Sequence, residues 1–487
     1  MKPISSDMVP ENSRPGSFGQ GTSRPLACAS RFFIGKQVSS LFWQTARPAC
    51  PPMKSLPRTP DFPHSRNGCA PLFPSPHNNF QYLTTNLTTP STMNTNPTYQ
   101  LIRRKFLTVL LAGLGTLPCY AQFTFNSGSN ETYGPMNITA NTTLDMQTLA
   151  PDGIFNCTTI NVAAGATLKF TPNSLNTPVY LLATGDVSVS GTIDVSGSMG
   201  TGTLGGAGGP GGFSGGNPGN VGLLDGCGHG PGAGPVGGPA SYGTTASLNS
   251  GYYPTAIVGG VVYGSPLLIP LIGGSGGAGS AGTGGEGGGG AVLIASNTRI
   301  EVSGGVAATS PDLNVRGFFG LGSGGAIRLV AQVVSGNGKL NVNGSQQPYT
   351  ASCGGAGRIR IDCIERRTLA LTCVPSLVAT IGANMMTFPP NAPHLDITQA
   401  AGTNLAVGTD APVFFMLPPG TSPNQTVTVQ ASNFGAVVPI RVVLTPDNGS
   451  ATSYDVQIDN SAAGSASVTV PVVMPVNMQV HIEAWTR

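Results

Sequence analysis

The chain has 487 residues with a formal net charge of +3, and 70 of its residues are glycine. The positive charge is concentrated in residues 1–121, because residues 122–487 hold 11 basic and 17 acidic residues and carry a net charge of −6. A segment with so few positive charges lacks the basic surface that nucleic-acid binding requires, and we therefore exclude nucleic acid as a partner.

The first 92 residues are rich in proline, serine and asparagine and show no apolar period. Met93 is then a natural translation start for the segment that follows. We interpret residues 1–92 as upstream sequence translated from a misplaced start, and the alternative is a disordered leader.

Residues 93–121 have the three parts of a secretory signal peptide. In "RRKFLTVLLAGLGTLPCYA" three basic residues precede an apolar run, and small residues stand before Gln122, where we expect cleavage. The apolar run is too short to cross a membrane, so a membrane-spanning protein is not expected. The predicted location is extracellular or at the cell surface, with the periplasm as an alternative, and the export route stays open because "RRKFL" also resembles the twin-arginine motif.

A repeated pattern occupies residues 122–374. The stretches "VYLLATGDVSVSGTIDVSG", "AVLIASNTRIEVSG", "AIRLVAQVVSGNGKLNVNG" and "RIRIDC" alternate apolar and polar residues between glycine and asparagine turns. Alternation at period two predicts half-buried strands, and strands this short bury a core only by stacking. The fold class predicted here is all-β, a parallel β-solenoid (β-helix) with long glycine-rich corner loops.

The longest of these loops is the glycine-rich insertion of residues 199–290. Its composition is typical of a flexible linker, but its middle, "GYYPTAIVGGVVYGSPLLIPLIGG", is apolar and aromatic. Glycine also lets extended backbones approach each other closely. We therefore favour an ordered, glycine-rich cap on the solenoid.

The glycine runs stop near residue 375. Residues 375–487 contain about six alternating runs at spacings near ten residues, separated by turn signals such as "PDNGS". This spacing predicts a small β-sandwich of the immunoglobulin-like kind.

The signal peptide together with "DGIFNCTTINVAAGATLKF", "YGSPLLIPLIGGSGG", "GGAIRLVA", "GGAGRIRI" and the closing "MQVHIEAWTR" resembles a group of secreted, glycine-rich bacterial proteins that are β-solenoid-like with a C-terminal β-sandwich. The resemblance covers residues 122–487. It implies secretion and this architecture, and it implies no activity.

The search for catalytic chemistry gives no catalytic residue and no cofactor. "GCGHGPG" around His229 is similar to the "GHG" of polygalacturonases, and "RIR" at 358–360 is similar to their "RIK". The paired carboxylates that such hydrolysis needs are missing from the matching positions, so chance in a glycine-rich chain explains the match better. Metal binding is not predicted either, because no C-x-x-C pair is present and the acids are not clustered.

Five cysteines follow the predicted cleavage point, an odd number, so at least one thiol has no partner within the chain. Cys363 and Cys373 flank a short segment and are the candidate disulfide pair.

Aromatic and basic residues of the solenoid are the binding candidates. Tyr252, Tyr253 and Tyr263 lie in the insertion, where exposed rings can stack on sugars or anchor a protein. The alternative is that such rings form the core that glycine loops otherwise lack. Arg328 and Arg360 occupy equivalent places in neighbouring coils, where they contact an anionic glycan or lie on a solvated outer face paired with acids such as Asp362 and Glu301.

Two function classes remain. The first is a secreted, non-catalytic structural or binding protein of the cell surface or matrix, such as an adhesin, with glycans or cell-surface proteins as partners. The alternative is a carbohydrate-active enzyme on the same scaffold, a polysaccharide lyase or a polygalacturonase-like hydrolase. Convergence of two or three carboxylates in a groove would favour the enzyme.

Overall fold

The structure is a computed structural model. It describes residues 31–34, 124–247, 259–312, 320–347, 352–407 and 413–487. All of these residues belong to one compact unit. Apart from residues 31–34, the predicted leader (1–92) and the predicted signal peptide (93–121) lie outside the described residues.

The described chain is all-β with parallel sheets, as predicted. Two parallel sheets dominate residues 134–382. The strands of the first parallel sheet are β2 (Gly134–Ile138), β4 (Ile154–Val162), β6 (Val179–Ala183), β7 (Val187–Val189), β9 (Ala291–Val302), β11 (Ala326–Ser335), β15 (Arg358–Glu365) and β17 (Ala379–Gly382). The strands of the second are β3 (Thr142–Asp145), β5 (Thr167–Thr171), β8 (Thr192–Asp194), β10 (Gly305–Ala307), β12 (Lys339–Asn341) and β16 (Thr372–Val374).

The chain visits the two parallel sheets in turn, and neighbouring strands within each sheet follow chain order. In the first sheet, Ile327 pairs in register with Val292 on one side and Ile359 on the other. Alternate side chains of every strand therefore form ladders that point to one core between the two sheets. Burying an aliphatic side chain of this size stabilises the fold by about 1.5–3 kcal/mol, so each ladder adds substantially to stability.

The helical content of the described residues is small. It consists of α1 (Met146–Leu149), whose N-terminus is capped by Asp145, and a 3₁₀ turn at Ser376–Val378. Among these residues, no helix is long and apolar enough to cross a membrane.

The first parallel sheet is buried on both faces where β9, β11 and β15 begin. The sequence predicts half-buried strands, but the outward-facing Leu293 and Val330 are also buried. They belong to a second core that includes Phe213, Tyr242 and Tyr263 of the insertion. The continuous apolar runs "AVLIA" and "AIRLVA" are the pattern typical of strands covered on both faces, and the insertion supplies that cover.

The described glycine-rich segments lie side by side as a layer. We call this set, residues 197–247, 259–290, 320–325 and 354–357, the glycine layer. Backbone hydrogen bonds join its segments, for example Gly216 N–H to Gly277 O (2.9 Å), Gly277 N–H to Glu286 O (3.0 Å) and Glu286 N–H to Gly320 O (2.9 Å). A Cβ atom on Gly277 would overlap the carbonyl group of Gly320. Glycine is therefore required by the close approach of neighbouring backbones.

Two further sheets, the C-terminal sheets, enclose a separate apolar core. One contains β20 (Val413–Met416), β1 (Arg31–Ile34), β25 (Val480–Thr486), β22 (Val437–Pro446) and β23 (Thr452–Asp459) in that order. The other contains β19 (Thr403–Asn404), β18 (His394–Ala400), β21 (Asn424–Ser432) and β24 (Ser465–Val473). Their pairings are antiparallel except for that between β1 and β25. A separate two-stranded hairpin is formed by β13 (Gln346–Gln347) and β14 (Ser352–Cys353).

The change from parallel to antiparallel sheets comes after residue 382, later than the predicted boundary at 375. Strand β17 still pairs in parallel with β15, and Asn384 N–H still donates to the Asp362 carboxylate at 2.9 Å. The glycine runs end before the parallel sheet does. The chain leaves β17, the last strand of that sheet, without a glycine-rich corner loop.

The glycine layer contacts the C-terminal sheets directly. Gly449 N–H donates to Asp225 O at 3.1 Å, and the Asn448 side chain donates to the carbonyls of Pro218 and Leu224. The Ala451 N–H donates to the Cys227 thiol at 3.4 Å. We call this contact region the seam.

Candidate functional site

Three metal-ligand side chains converge at the seam. His481 and Glu483 alternate along β25, so both project from the same face of the strand. His229 lies in the glycine layer, and its ring centroid is 4.9 Å from that of His481. One donor atom from each of the three residues lies within 4.8 Å of the other two. We call these residues the histidine–glutamate cluster.

One imidazole nitrogen of each histidine in the cluster lacks a hydrogen-bond partner. His229 Nδ1 and His481 Nε2 are both buried and unpartnered, although the His481 side chain as a whole is 28% exposed. Glu483 is almost fully buried; its Oε2 accepts from the Gly230 N–H at 3.3 Å, and its Oε1 lies 3.7 Å from His481 Nε2. Such orphaned nitrogens are unusual, since buried polar atoms are normally satisfied.

Burial sets the protonation states of the cluster. It lowers the pKa of His229 to about 4, with His481 adding to this effect and Glu483 opposing it. Burial also lowers the pKa of His481 to about 4 and raises the pKa of the Glu483 carboxyl. Both imidazoles are therefore neutral at physiological pH, which is the form that donates a lone pair to a metal ion.

A cleft of about 280 Å³ adjoins the cluster at the seam. Loops of the glycine layer form one wall, and strands β22 and β25 form the other, with Arg441, Glu483 and Trp485 among the lining residues. Among the described residues that line the cleft, Glu483 is the single carboxylate. The cleft thus combines an aromatic ring, a guanidinium and a buried carboxyl group, which is the mixed apolar and polar lining of ligand pockets.

Comparison with protein-family models, with curated proteins and with solved structures found no match to this chain. The chemistry of the seam is therefore argued from its geometry.

The structure brings the predicted Arg328 and Arg360 together, in register on β11 and β15. Asp362 binds both: its Oδ2 is 3.3 Å from Arg328 Nη2, and its Oδ1 is 2.6 Å from Arg360 Nη2. The predicted partner is found, but the predicted solvated outer face is wrong, because all three side chains are buried. The segment after β17 covers them, and Arg328 Nη2 donates to the Asn384 carbonyl at 3.1 Å.

Tyr263 is buried, and its ring stacks on that of Tyr242 with centroids 4.4 Å apart. The Tyr263 hydroxyl donates to the Gly273 carbonyl, and the Arg358 guanidinium donates to the Tyr263 carbonyl. These contacts agree with the alternative that rings of the insertion form a core. Tyr252 and Tyr253 lie outside the described residues, and their binding role stays a prediction.

The five described cysteines are free thiols. Cys363 lies on β15 of the first parallel sheet and Cys373 on β16 of the second. No bond joins them in the structure, and their pairing stays a prediction.

His481 and Glu483 were not among the sequence candidates. The alternation "VHIEAWT" places a histidine and a glutamate on one strand face and could have identified them as a pair. Nothing in the sequence pairs them with His229, which is about 250 residues away and lies in a glycine-rich motif that chance explains.

Proposed function

We propose that the protein is a secreted, non-catalytic structural or binding protein of the cell surface or extracellular matrix. We infer that its two parallel sheets wind as a β-solenoid capped by the glycine layer, and that the C-terminal sheets form a β-sandwich attached through the seam. The dense backbone hydrogen bonding of the glycine layer supports a stiff scaffold, since neighbouring segments leave no room for side chains.

The observation that carries the binding role is the cleft at the seam. Trp485 and Arg441 are both partly exposed there. Indole rings stack on the apolar faces of sugars. The Arg441 guanidinium donates Nε–H and Nη2–H to Asp455, which leaves Nη1 to bind a hydroxyl or carboxylate oxygen of the ligand. A cavity of about 280 Å³ suits one or two small ligand units. Glycans, free or on a cell-surface protein, are therefore the proposed ligand class.

A glycan array probed with the secreted protein tests this proposal. We expect Trp485→Ala and Arg441→Ala to weaken the signal at least about tenfold, because the array ligand loses its stacking surface and its cation. Arg299→Ala is the matched control, since Arg299 is half-exposed, pairs with Asp186 and Glu301, and lies away from the cleft. Binding that survives both cleft substitutions would contradict the assignment.

The same array hits decide between binding and the enzyme alternative. Incubation with each ligand should leave its reducing ends unchanged. Release of new reducing ends or unsaturated products would replace the binding role with the polysaccharide lyase or hydrolase alternative.

A further inference from the structure

The unpartnered nitrogens of the histidine–glutamate cluster point to a missing ligand. His229 Nδ1 and His481 Nε2 are buried without hydrogen-bond partners. Glu483 Oε1 lies 3.7 Å from His481 Nε2, and one donor atom of His229 lies within 4.8 Å of a donor atom of each of the other two residues. At 3.7 Å, His481 Nε2 is too far from Glu483 Oε1 for a hydrogen bond of normal geometry. A cation between the three donors would accept both lone pairs and compensate the buried carboxylate charge.

The donor set indicates the kind of cation. Two imidazole nitrogens and one carboxylate oxygen are ligands typical of zinc and related divalent ions, whereas calcium and magnesium prefer oxygen ligands alone. We propose that His229, His481 and Glu483 bind one divalent transition-metal ion of the zinc class, which links the glycine layer to strand β25. This inference goes beyond the proposed function and does not depend on the nature of any glycan ligand.

The geometry requires a small contraction. Zinc–ligand distances of about 2.0–2.2 Å at the tetrahedral angle place donors about 3.4 Å apart, and the cluster donors lie within 4.8 Å. Glu483 Oε1 and His481 Nε2 are already 3.7 Å apart, so His229 makes most of the movement. The His229 N–H donates to Ser214 O and the Gly276 N–H donates to His229 O, both at 3.0 Å, so the backbone of His229 is held and rotation of its side chain supplies this movement.

The surroundings complete the site. The Gly230 N–H holds Glu483 Oε2 and leaves Oε1 for the ion, which is the outer hydrogen bond that orients carboxylate ligands. Glu483 also lines the cleft, so the remaining coordination positions face that space. Water or a ligand oxygen in the cleft would fill them, as in three-ligand zinc sites.

Zinc titration of untagged, EDTA-stripped protein tests the proposal directly. We expect about one Zn²⁺ per chain by calorimetry, and a rise in melting temperature of about 3 °C or more at 100-fold excess of Zn²⁺ over its Kd. Replacing Zn²⁺ with Co²⁺ should give the visible absorption of a low-coordinate cobalt site. No glycan is present, so this result and the array result can fail separately.

Variants locate the ion. His481→Gln and Glu483→Gln should weaken Zn²⁺ binding at least about 100-fold and remove the Co²⁺ absorption, while melting without metal shows whether each variant is folded. His394→Gln is the matched control, because His394 and Asp396 repeat the same alternate spacing on β18, 2.6 Å apart, and among the described residues no group of three metal-ligand side chains includes them. Cys227→Ser controls for zinc capture by the thiol at the seam.

The proposal is overturned if the stripped protein takes up no stoichiometric Zn²⁺, or if folded His481→Gln and Glu483→Gln proteins bind it as tightly as the unchanged protein. It is also overturned if Cys227→Ser abolishes binding while His481→Gln does not.

Discussion

Buried charge is the main feature at the scale of single residues. Only about one residue in eleven is charged, yet Arg328, Asp362 and Glu286 are completely buried. Asp362 is surrounded by two guanidinium groups and the Asn384 N–H, whereas neither oxygen of Glu286 has a hydrogen-bond partner. The first arrangement satisfies a buried charge, and the second favours a protonated carboxyl group.

Asp362→Asn should lower the free energy of unfolding by about 3–5 kcal/mol, because it leaves two buried guanidinium groups without a counter-charge. The chain contains a matched exposed triad, in which Asp455 binds Arg441 and Arg487 at 2.7 and 2.6 Å. Asp455→Asn should cost about 1 kcal/mol or less, since solvent screens its charges. Equal losses in denaturant unfolding of the two variants would contradict this account.

Glu286→Gln should change how stability depends on pH. Burial raises the pKa of Glu286 from 4.5 to about 8, while Ser345 and the Gly322 N–H act in the opposite direction without forming hydrogen bonds of normal geometry. The folded state therefore holds a proton that the unfolded state has lost between pH 4.5 and 8. As the pH rises through this window, the free energy of unfolding of the unchanged protein should fall by about 1.4 kcal/mol per pH unit relative to that of the variant.

Denaturant unfolding at pH 5, 6.5 and 8 measures this difference. Glu131→Gln is the control, because Glu131 is exposed and should show little effect. A constant difference between Glu286→Gln and the unchanged protein at all three pH values would rule out proton uptake at Glu286.

At the scale of elements, the strands and the glycine layer depend on each other. The outward faces of β9 and β11 are mostly apolar, and the layer covers them with tyrosine and leucine side chains from between its glycine segments. The outward face of β15 instead carries Arg358, Arg360 and Asp362. The layer itself is joined by backbone hydrogen bonds, so its stability depends on close backbone approach more than on side-chain burial.

Gly277→Ala should destabilise the protein by about 1–3 kcal/mol, because the new methyl group would overlap the Gly320 carbonyl and force neighbouring segments apart. Gly202→Ala is the control in the same insertion, since its nearest atom, Gly282 O, would be 3.7 Å from the new Cβ. Thermal melting of both variants gives the comparison. Similar melting temperatures would contradict this prediction, because they would show that neighbouring segments of the layer move apart at little cost in stability.

At the scale of the whole molecule, the seam joins two independent cores. One core lies between the parallel sheets, and the other lies between the C-terminal sheets. Hydrogen bonds from Asn448, Gly449 and Ala451 connect the C-terminal sheets to the glycine layer, and the core of these sheets shares no apolar side chain with the core under the layer. The C-terminal sheets should therefore fold alone but gain stability from the seam.

A fragment of residues 390–487 should melt cooperatively, at a lower temperature than the full chain because it lacks the contacts of the seam and strand β1, which pairs with β20 and β25. Circular dichroism during heating measures both properties. The fragment keeps His481 and Glu483 but lacks His229, so Zn²⁺ should not raise its melting temperature. A disordered fragment would show that these sheets depend on the rest of the chain.

The sequence by itself determined the all-β class, the parallel sheets and the register of Arg328 with Arg360, because period-two alternation and the repeated glycine corners are local signals. The sequence could not determine that Arg328 and Arg360 are buried, because the segments that cover them lie elsewhere in the chain and have no periodic pattern of their own. The histidine–glutamate cluster was decided only by the tertiary structure. One strand face supplies His481 and Glu483, but His229 joins them because the glycine layer packs against β25, and the physical origin of that packing is close backbone approach between distant segments rather than any local pattern.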